Sequence, residues 1–126
     1  MSLSRKILAV EDSSSLRALI SQTLRGGGYE VVEAADGEEA LEMLSRDTVD
    51  LLISDVNMPR LGGIELTQKV RSMPGMRFLP IILITSDGSD ESKRASSKQA
   101  GASGWISKPF QPEKLLNVTR MILGHA

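Results

Sequence analysis

The sequence predicts an α/β fold, a single domain built on a five-stranded parallel sheet with helices on both faces. Three observations lead there. Short apolar runs of strand length recur five times along the chain, mostly β-branched or aliphatic, as in strands covered on both sides. Segments with a helical apolar stripe separate them. The strict strand–helix alternation then requires parallel strands joined by right-handed crossovers.

The first run is "KILAV" (6 to 10), and the helix after it has Ser13 to Ser15 as N-cap candidates. Leu16, Leu19, Ile20, Thr23 and Leu24 fall on one stripe of that helix. "RGGGY" (25 to 29) follows a helix. Phosphate-cradling loops follow a strand and open a helix, so this stretch is a C-terminal cap and turn. "VVEA" (31 to 34) is the second strand, and Gly37 to Arg46 forms a helix carrying Ala40, Leu41 and Leu44. The third strand, "LLIS" (51 to 54), runs straight into Asp55. Ile64 to Arg71 is helical with Ile64, Leu66 and Val70 inward, and "IILIT" (81 to 85) is the fourth strand. The next stretch, "DGSDESKRASSKQAGA", has only alanines as apolar residues. A helix that polar gains little packing energy and should be loosely fixed. "GWIS" (104 to 107) is the fifth strand, and the last helix has Pro112 in its first turn and Leu115, Val118 and Ile122 along one face.

Composition narrows the function. The 126 residues fit one domain, 1–126, with no internal repeat or linker. A net charge of −1 gives no electrostatic footprint for nucleic acid. The absence of cysteine excludes disulfides and thiolate metal sites and fits a reducing compartment. No apolar run approaches the roughly 18 residues of a membrane span. "ILAV" meets Glu11 and Asp12 at once, so no signal-peptide pattern is present. The expected location is the cytoplasm, with no membrane partner. Met1-Ser2-Leu3 and the lone His125 receive no role.

Ionised carboxylates rarely sit at the rim of a dry core unless something pairs with them. In open parallel sheets, ligands bind outside the carboxyl ends of the strands. Four strands here end in residues with chemistry: Glu11 and Asp12, Asp55, Thr85 and Lys108. Taken singly, each has an ordinary explanation as a turn residue, a helix cap or a solvated charge. Jointly they mark one sheet edge. If the first and third strands are neighbours, three carboxylates share a crevice, with like charges about 4 Å apart repelling by roughly 4 kcal/mol. Lys108 offsets part of this, and a divalent cation is expected for the rest. Hard oxygen ligands without His or Cys favour Mg²⁺ over Zn²⁺.

Five stretches, "VEDS" (10 to 13), "DVNMP" (55 to 59), "ITS" (84 to 86), "AGASGW" (100 to 105) and "KPF" (108 to 110), occur in order and at a characteristic spacing. Together they resemble the receiver domains of two-component response regulators, above all the single-domain chemotaxis type, over essentially the whole chain. The resemblance implies a flavodoxin-like, doubly wound sheet of order 2-1-3-4-5. It implies that Asp55 is the phosphoacceptor, attacking a phosphohistidine on a sensor histidine kinase or histidine phosphotransfer protein. Asp12, Asp55 and the backbone carbonyl of Asn57 would ligate Mg²⁺, with Glu11 acting through water. Lys108 and Thr85 would contact the phosphoryl group, and Trp105 occupies the aromatic switch position. The Lys108–Pro109 bond is often cis in the family, which would help aim the lysine. Asn57 and Asp87 fall where the family tunes self-dephosphorylation. The product is a phosphorylation-controlled switch rather than a turnover enzyme, with a downstream protein target on the fourth helix, fifth strand and fifth helix.

The departures carry expectations of their own. Gly62-Gly63 replaces the common Asp-Gly pair, which suggests a looser loop with intact chemistry, since a glycine cap costs only a few tenths of a kcal/mol. Ser86 is larger than the usual alanine or glycine and would narrow access. Trp105 is bulkier than tyrosine or phenylalanine, which bears on its inward rotation. Two rival classes remain. A Mg²⁺-dependent phosphohydrolase of haloacid dehalogenase type would need a second Asp where Asn57 stands, and a cap domain. A phosphorylation-independent interaction module would not need the full residue set. No Gly-rich motif follows the first strand, so nucleotide binding is not expected. With no effector domain expected after the last helix, the output is a binding surface, used in chemotaxis or in a phosphorelay.

Overall fold

The computed structural model describes residues 5–86 and 91–124, with the side chains of 91–94 and 97 left undescribed. Asp87, His125 and Met1-Ser2-Leu3 lie outside the described residues. In chain order the elements are β1 (Lys6–Val10), α1 (Ser14–Gly26), β2 (Glu30–Ala34), α2 (Gly37–Arg46), β3 (Leu51–Asp55), α3 (Gly63–Arg71), β4 (Ile81–Thr85), α4 (Glu91–Ala100), β5 (Gly104–Ser107) and α5 (Pro112–Leu123). The sheet order is β2-β1-β3-β4-β5, and every pairing is parallel. The expected architecture holds, with small shifts at element ends. β2 begins at Glu30 because its N–H already donates to Arg5 O at 2.9 Å. β3 runs on through Asp55 because the next N–H, of Val56, still reaches Ile84 O at 2.8 Å.

Strand periodicity divides the core in two. Ile7, Ala9, Leu51, Ile53, Ile82, Ile84 and Ile106 face α1 and α5, where they meet Ile20, Leu24, Leu115 and Leu123. The alternate residues, Leu8, Val10, Leu52, Ile81 and Leu83, pack with Ala40 and Leu44 of α2 and Leu66 and Val70 of α3. β3 and β4 are buried along their whole length. Fully buried strands are what continuous apolar runs specify, because neither side of the sheet meets water.

The caps are local and readable. Ser13 Oγ accepts from Leu16 N, and Asp36 accepts from Glu39 N. The glycine-rich turn closes α1: Gly27 N reaches Leu24 O, Tyr29 N reaches Leu24 O, and Gly28 takes φ +97°. That is the C-terminal cap expected from the sequence. Tyr29 then donates its hydroxyl to Gly124 O at 2.8 Å, tying the end of α5 to the entrance of β2.

One buried group runs against this economy. Ser21 is 1% exposed, and its hydroxyl has no hydrogen-bond partner among the described residues. An unsatisfied buried hydroxyl costs about 1–3 kcal/mol. Ser21→Ala should therefore stabilise the fold by on the order of 1 kcal/mol, raising Tm by a few degrees in differential scanning calorimetry. A lower Tm would show that the hydroxyl is satisfied in solution.

Candidate functional site

The sheet order makes β1 and β3 neighbours, and their register pairs Val10 with Ser54. The next residues, Glu11 and Asp55, therefore emerge side by side at the carboxyl edge. Glu11 is 1% and Asp55 4% exposed, while Asp12 faces solvent. Carboxylate oxygens of Glu11, Asp12 and Asp55 all lie within 4.8 Å of one another. Across from them, Lys108 Nζ stands 3.0 Å from Asp55 Oδ1 and 3.3 Å from Glu11 Oε1. Lys108 is placed from its backbone, whose N–H donates to Thr85 O at 2.8 Å and so continues the β4–β5 ladder. The Lys108–Pro109 bond is cis.

The electrostatics follow from burial and imbalance. Burial pushes the Asp55 carboxyl up, Lys108 pulls it back, and Asp12 raises it further. Burial likewise raises Glu11, against a hydrogen bond from Ser13 N at 3.1 Å; Asp12 and the charge of Asp55 raise it again. Burial alone would lower the Lys108 ammonium, but Asp55 and then Glu11 outweigh it and hold the group above its ordinary value. Three carboxylates face one ammonium. Like charges about 5 Å apart repel by about 3 kcal/mol at an effective dielectric near 20, and by less at Asp12, where water screens.

The same residues fit a divalent cation. Asp55 Oδ1 is buried without a geometrically aligned hydrogen bond among the described residues, since the Lys108 contact is an ion pair by distance only. Among the described residues, the Lys108 ammonium is thus the group that stands against that oxygen. The donor set is all oxygen and opens to water on the Asp12 side, which suits Mg²⁺, a cation that retains several waters.

Thr85, the last residue of β4, is 0% exposed, and Asp55 pairs with Ile84 beside it. Asn57 is exposed in the loop two residues beyond Asp55, and Trp105 is half-buried on β5, in register with Leu83 and packed against the α2–α3 core. Ser86 is exposed on the wall of an apolar hollow of about 390 Å³, shared with Leu16, Leu19, Lys108, Pro109 and Phe110.

The expectation of a looser β3–α3 loop is corrected. Gly62 and Gly63 are buried, and a Cβ on Gly62 would come within 2.7 Å of Val56 O. One on Gly63 would collide with Asp55 O. The glycines let α3 start directly against the backbone of the acidic strand, so the segment is tight. Ser54 Oγ also donates to Asp55 O at 2.9 Å.

One contributor went unread in the sequence. Arg17 donates from Nη1 to Glu11 O at 2.8 Å and from Nε to Glu33 at 3.2 Å, pinning the peptide between the two acids. A cation so near a helix amino end opposes the macrodipole. That misfit was the available signal that Arg17 has another partner.

The chain belongs to the response regulator receiver family: the family model, described as response regulator receiver domain, matches residues 7–120. Among its relatives is chemotaxis protein CheY1 of Helicobacter pylori (strain ATCC 700392 / 26695), 40% identical over 121 residues, covering 94% of this chain and 97% of that protein. Response regulator MprA of Mycobacterium leprae is 42% identical over 118 residues, but this chain spans only 50% of its length. Among solved structures, Vibrio cholerae chemotaxis protein CheY4 superposes with a TM-score of 0.90 at 44% identity, covering 95% of this chain and 99% of that one. The receiver domain of a Pseudomonas aeruginosa sensor histidine kinase, solved with a magnesium ion in its active-site cleft, has a TM-score of 0.88 at 30% identity, covering 97% and 99%. The protein is a receiver of the CheY type, a phosphorylation-controlled signalling module. No described helix is long and apolar enough to cross a membrane.

A stability consequence follows from the carboxylate pair. A carboxyl raised by folding destabilises the native state once ionised, so its penalty is absent below the ordinary carboxylate range and grows as pH rises through the shifted value. In metal-free buffer at neutral pH, Asp55→Asn should melt a few degrees above the wild type. The difference should shrink toward acid pH and on adding Mg²⁺. A variant that melts lower at neutral pH would contradict a strained cluster.

Proposed function

We propose that residues 1–126 act as one receiver that takes a phosphoryl group from a phosphohistidine onto Asp55 and thereby changes a partner-binding surface. The observation that supports this reading above all others is the convergence of Glu11, Asp12, Asp55 and Lys108 on one sheet edge. Asp55 is the nucleophile: a carboxylate oxygen forms a bond to phosphorus while the phosphorus–nitrogen bond of the donor histidine breaks, and the leaving imidazole takes its proton from solvent. Lys108 stays protonated throughout and pairs with charge on the transferring group. Asp12, Asp55 and the Asn57 carbonyl would hold Mg²⁺, with Glu11 acting through water. When bound, the ion neutralises charge on the phosphoryl oxygens and aligns them. Thr85 offers its hydroxyl to the attached phosphoryl group. Asn57 and Asp87 tune its hydrolysis.

The donor is a sensor histidine kinase or a histidine phosphotransfer protein, and the setting is the cytoplasm. A downstream protein binds the face made by α4, β5 and α5. β5 is one of the two edge strands of the sheet, and Met121 on α5 is 84% exposed, which supports that choice. A haloacid-dehalogenase-type phosphohydrolase is not favoured, because Asn57 stands where its acid/base aspartate would be.

Acetyl phosphate with Mg²⁺ should add one phosphoryl group by intact-mass measurement, and omission of Mg²⁺ or Asp55→Asn should reduce the product below detection. Equal labelling of Asp55→Asn would refute the assignment. Trp105, the only tryptophan, should report the switch: its emission should change when Mg²⁺ and beryllofluoride are added together, and only in part in Thr85→Ala. Unchanged Trp105 emission at confirmed saturation would remove the aromatic coupling and leave the phosphoacceptor role standing.

A further inference from the structure

Helix α4 is the least apolar of the helices, and its described residues 95, 96, 98 and 99 are exposed, yet its carboxyl end is gripped from outside. Arg71, the last residue of α3, lays its guanidinium against the turn that follows α4. Its Nε and Nη2 donate to Gly101 O at 3.1 and 2.7 Å, and Nη1 donates to Met76 O at 3.1 Å. These acceptors are backbone carbonyls, and no carboxylate pairs with Arg71 among the described residues. Burial depresses the guanidinium but leaves it charged. Gly101 suits the seat: its φ is +102°, and a Cβ there would lie 3.0 Å from Arg71 Nε. Ala100 is buried, and Ser103 fastens the same turn to β4, donating its N–H to Ile81 O at 2.7 Å and accepting Ile81 N at 3.0 Å.

The other end of α3 meets the site. Gly63 begins the helix against the Asp55 carbonyl, so this helix of 9 residues is a strut between the acidic strand and the carboxyl end of α4. Sliding or detaching the carboxyl end of α4 would take from a half-buried cation both hydrogen bonds to Gly101 O and leave it only Met76 O. The described side chains of α4 before Ala100 are in water, and a helix so placed loses little on moving.

We propose that Arg71 is the pivot of the switch, fixing the carboxyl end of α4 to α3 so that the helix answers the site by swinging about Gly101. Arg71 is thus a positioning residue. The proposal rests on the phosphorylation-switch reading above, and its test separates the two. Amide exchange would be followed by NMR on the full chain, with and without Mg²⁺ and beryllofluoride, while fluorine resonances of bound beryllofluoride report site occupancy.

In the saturated wild type, amides in the first turns of α4 should exchange about tenfold faster or more, while Gly101 and Ser103 keep their protection. In Arg71→Gln, the Gly101 and Ser103 amides should exchange about tenfold faster or more even without activator, as loss of hydrogen bonds from a charged donor requires. Arg71→Lys should resemble Arg71→Gln, because one ammonium nitrogen cannot reproduce the planar guanidinium's paired donors to Gly101 O together with a third to Met76 O. If Arg71→Gln does not fold, Gly101→Ala tests the same seat by displacing the guanidinium. Loss of protection at Gly101 and Ser103 in the saturated wild type would overturn the pivot. So would unaltered exchange in the variants, or full rescue by lysine. Failure to saturate would instead overturn the phosphoryl-site reading, and the variants without activator would still decide the role of Arg71.

Discussion

Lys108 has to stand between Asp55 and Glu11, and much of the molecule is arranged so that it does. Two carboxylates this deeply buried are tolerable only with a cation against them, because an isolated buried charge would be neutralised instead. The ammonium reaches both because the backbone of Lys108 continues the β4–β5 ladder. A slip of β5 by one residue would turn its side chains to the opposite face and move the lysine away. The pairing of an edge strand, itself held by Leu83 against Trp105 and Ile84 against Ile106, thus sets the charge state of the centre.

The acids are fixed as firmly, though by backbone rather than by side-chain packing. Asp55 closes a strand whose ladder continues past it, and its carbonyl is held by Ser54 and crowded by Gly63. Glu11 is pinned through its own carbonyl by Arg17, which leaves its carboxylate to answer Lys108 and Ser13. Arg60, at φ +66°, ties the β3–α3 loop to the N-cap of α2 through Asp36 at 3.0 Å. The two loops that carry the acids, β1–α1 and β3–α3, are anchored to helices, so repulsion among the carboxylates is not relieved by those loops drifting apart.

Much of this was legible in the sequence because the relevant signals are local. Continuous aliphatic runs announce strands covered on both faces, and the first residue after each run falls at one edge of a parallel sheet. Glu11, Asp12, Asp55, Thr85 and Lys108 were found that way. Boundaries slipped by a residue at Glu30 and Asp55, where hydrogen bonds to Arg5 and from Val56 extend ladders that side-chain pattern does not encode. The Gly62-Gly63 pair was misread as slack because glycine looks permissive in isolation. What it provides here is absence of volume beside the Val56 and Asp55 carbonyls, which only the packed fold reveals. Arg71 was read merely as the end of a helix: its acceptor Gly101 lies 30 residues away, and no periodicity reports such a pairing.

The same anchoring limits how a change at the site can leave it. β3 and β4 are buried throughout and packed on both faces, and close-packed interiors do not deform gradually. The strands therefore transmit little by bending. What can respond are side chains at strand ends and elements with few buried contacts. Thr85 is the buried strand-end hydroxyl nearest Asp55 in the ladder, and α4 follows β4 with its described side chains in water except at Ala100. A ligand shifts an equilibrium only by its differential interaction with the two states. In this fold such a difference can be expressed only at the carboxyl edge, and the helix with the least to lose is attached there at one end and clamped to α3 at the other.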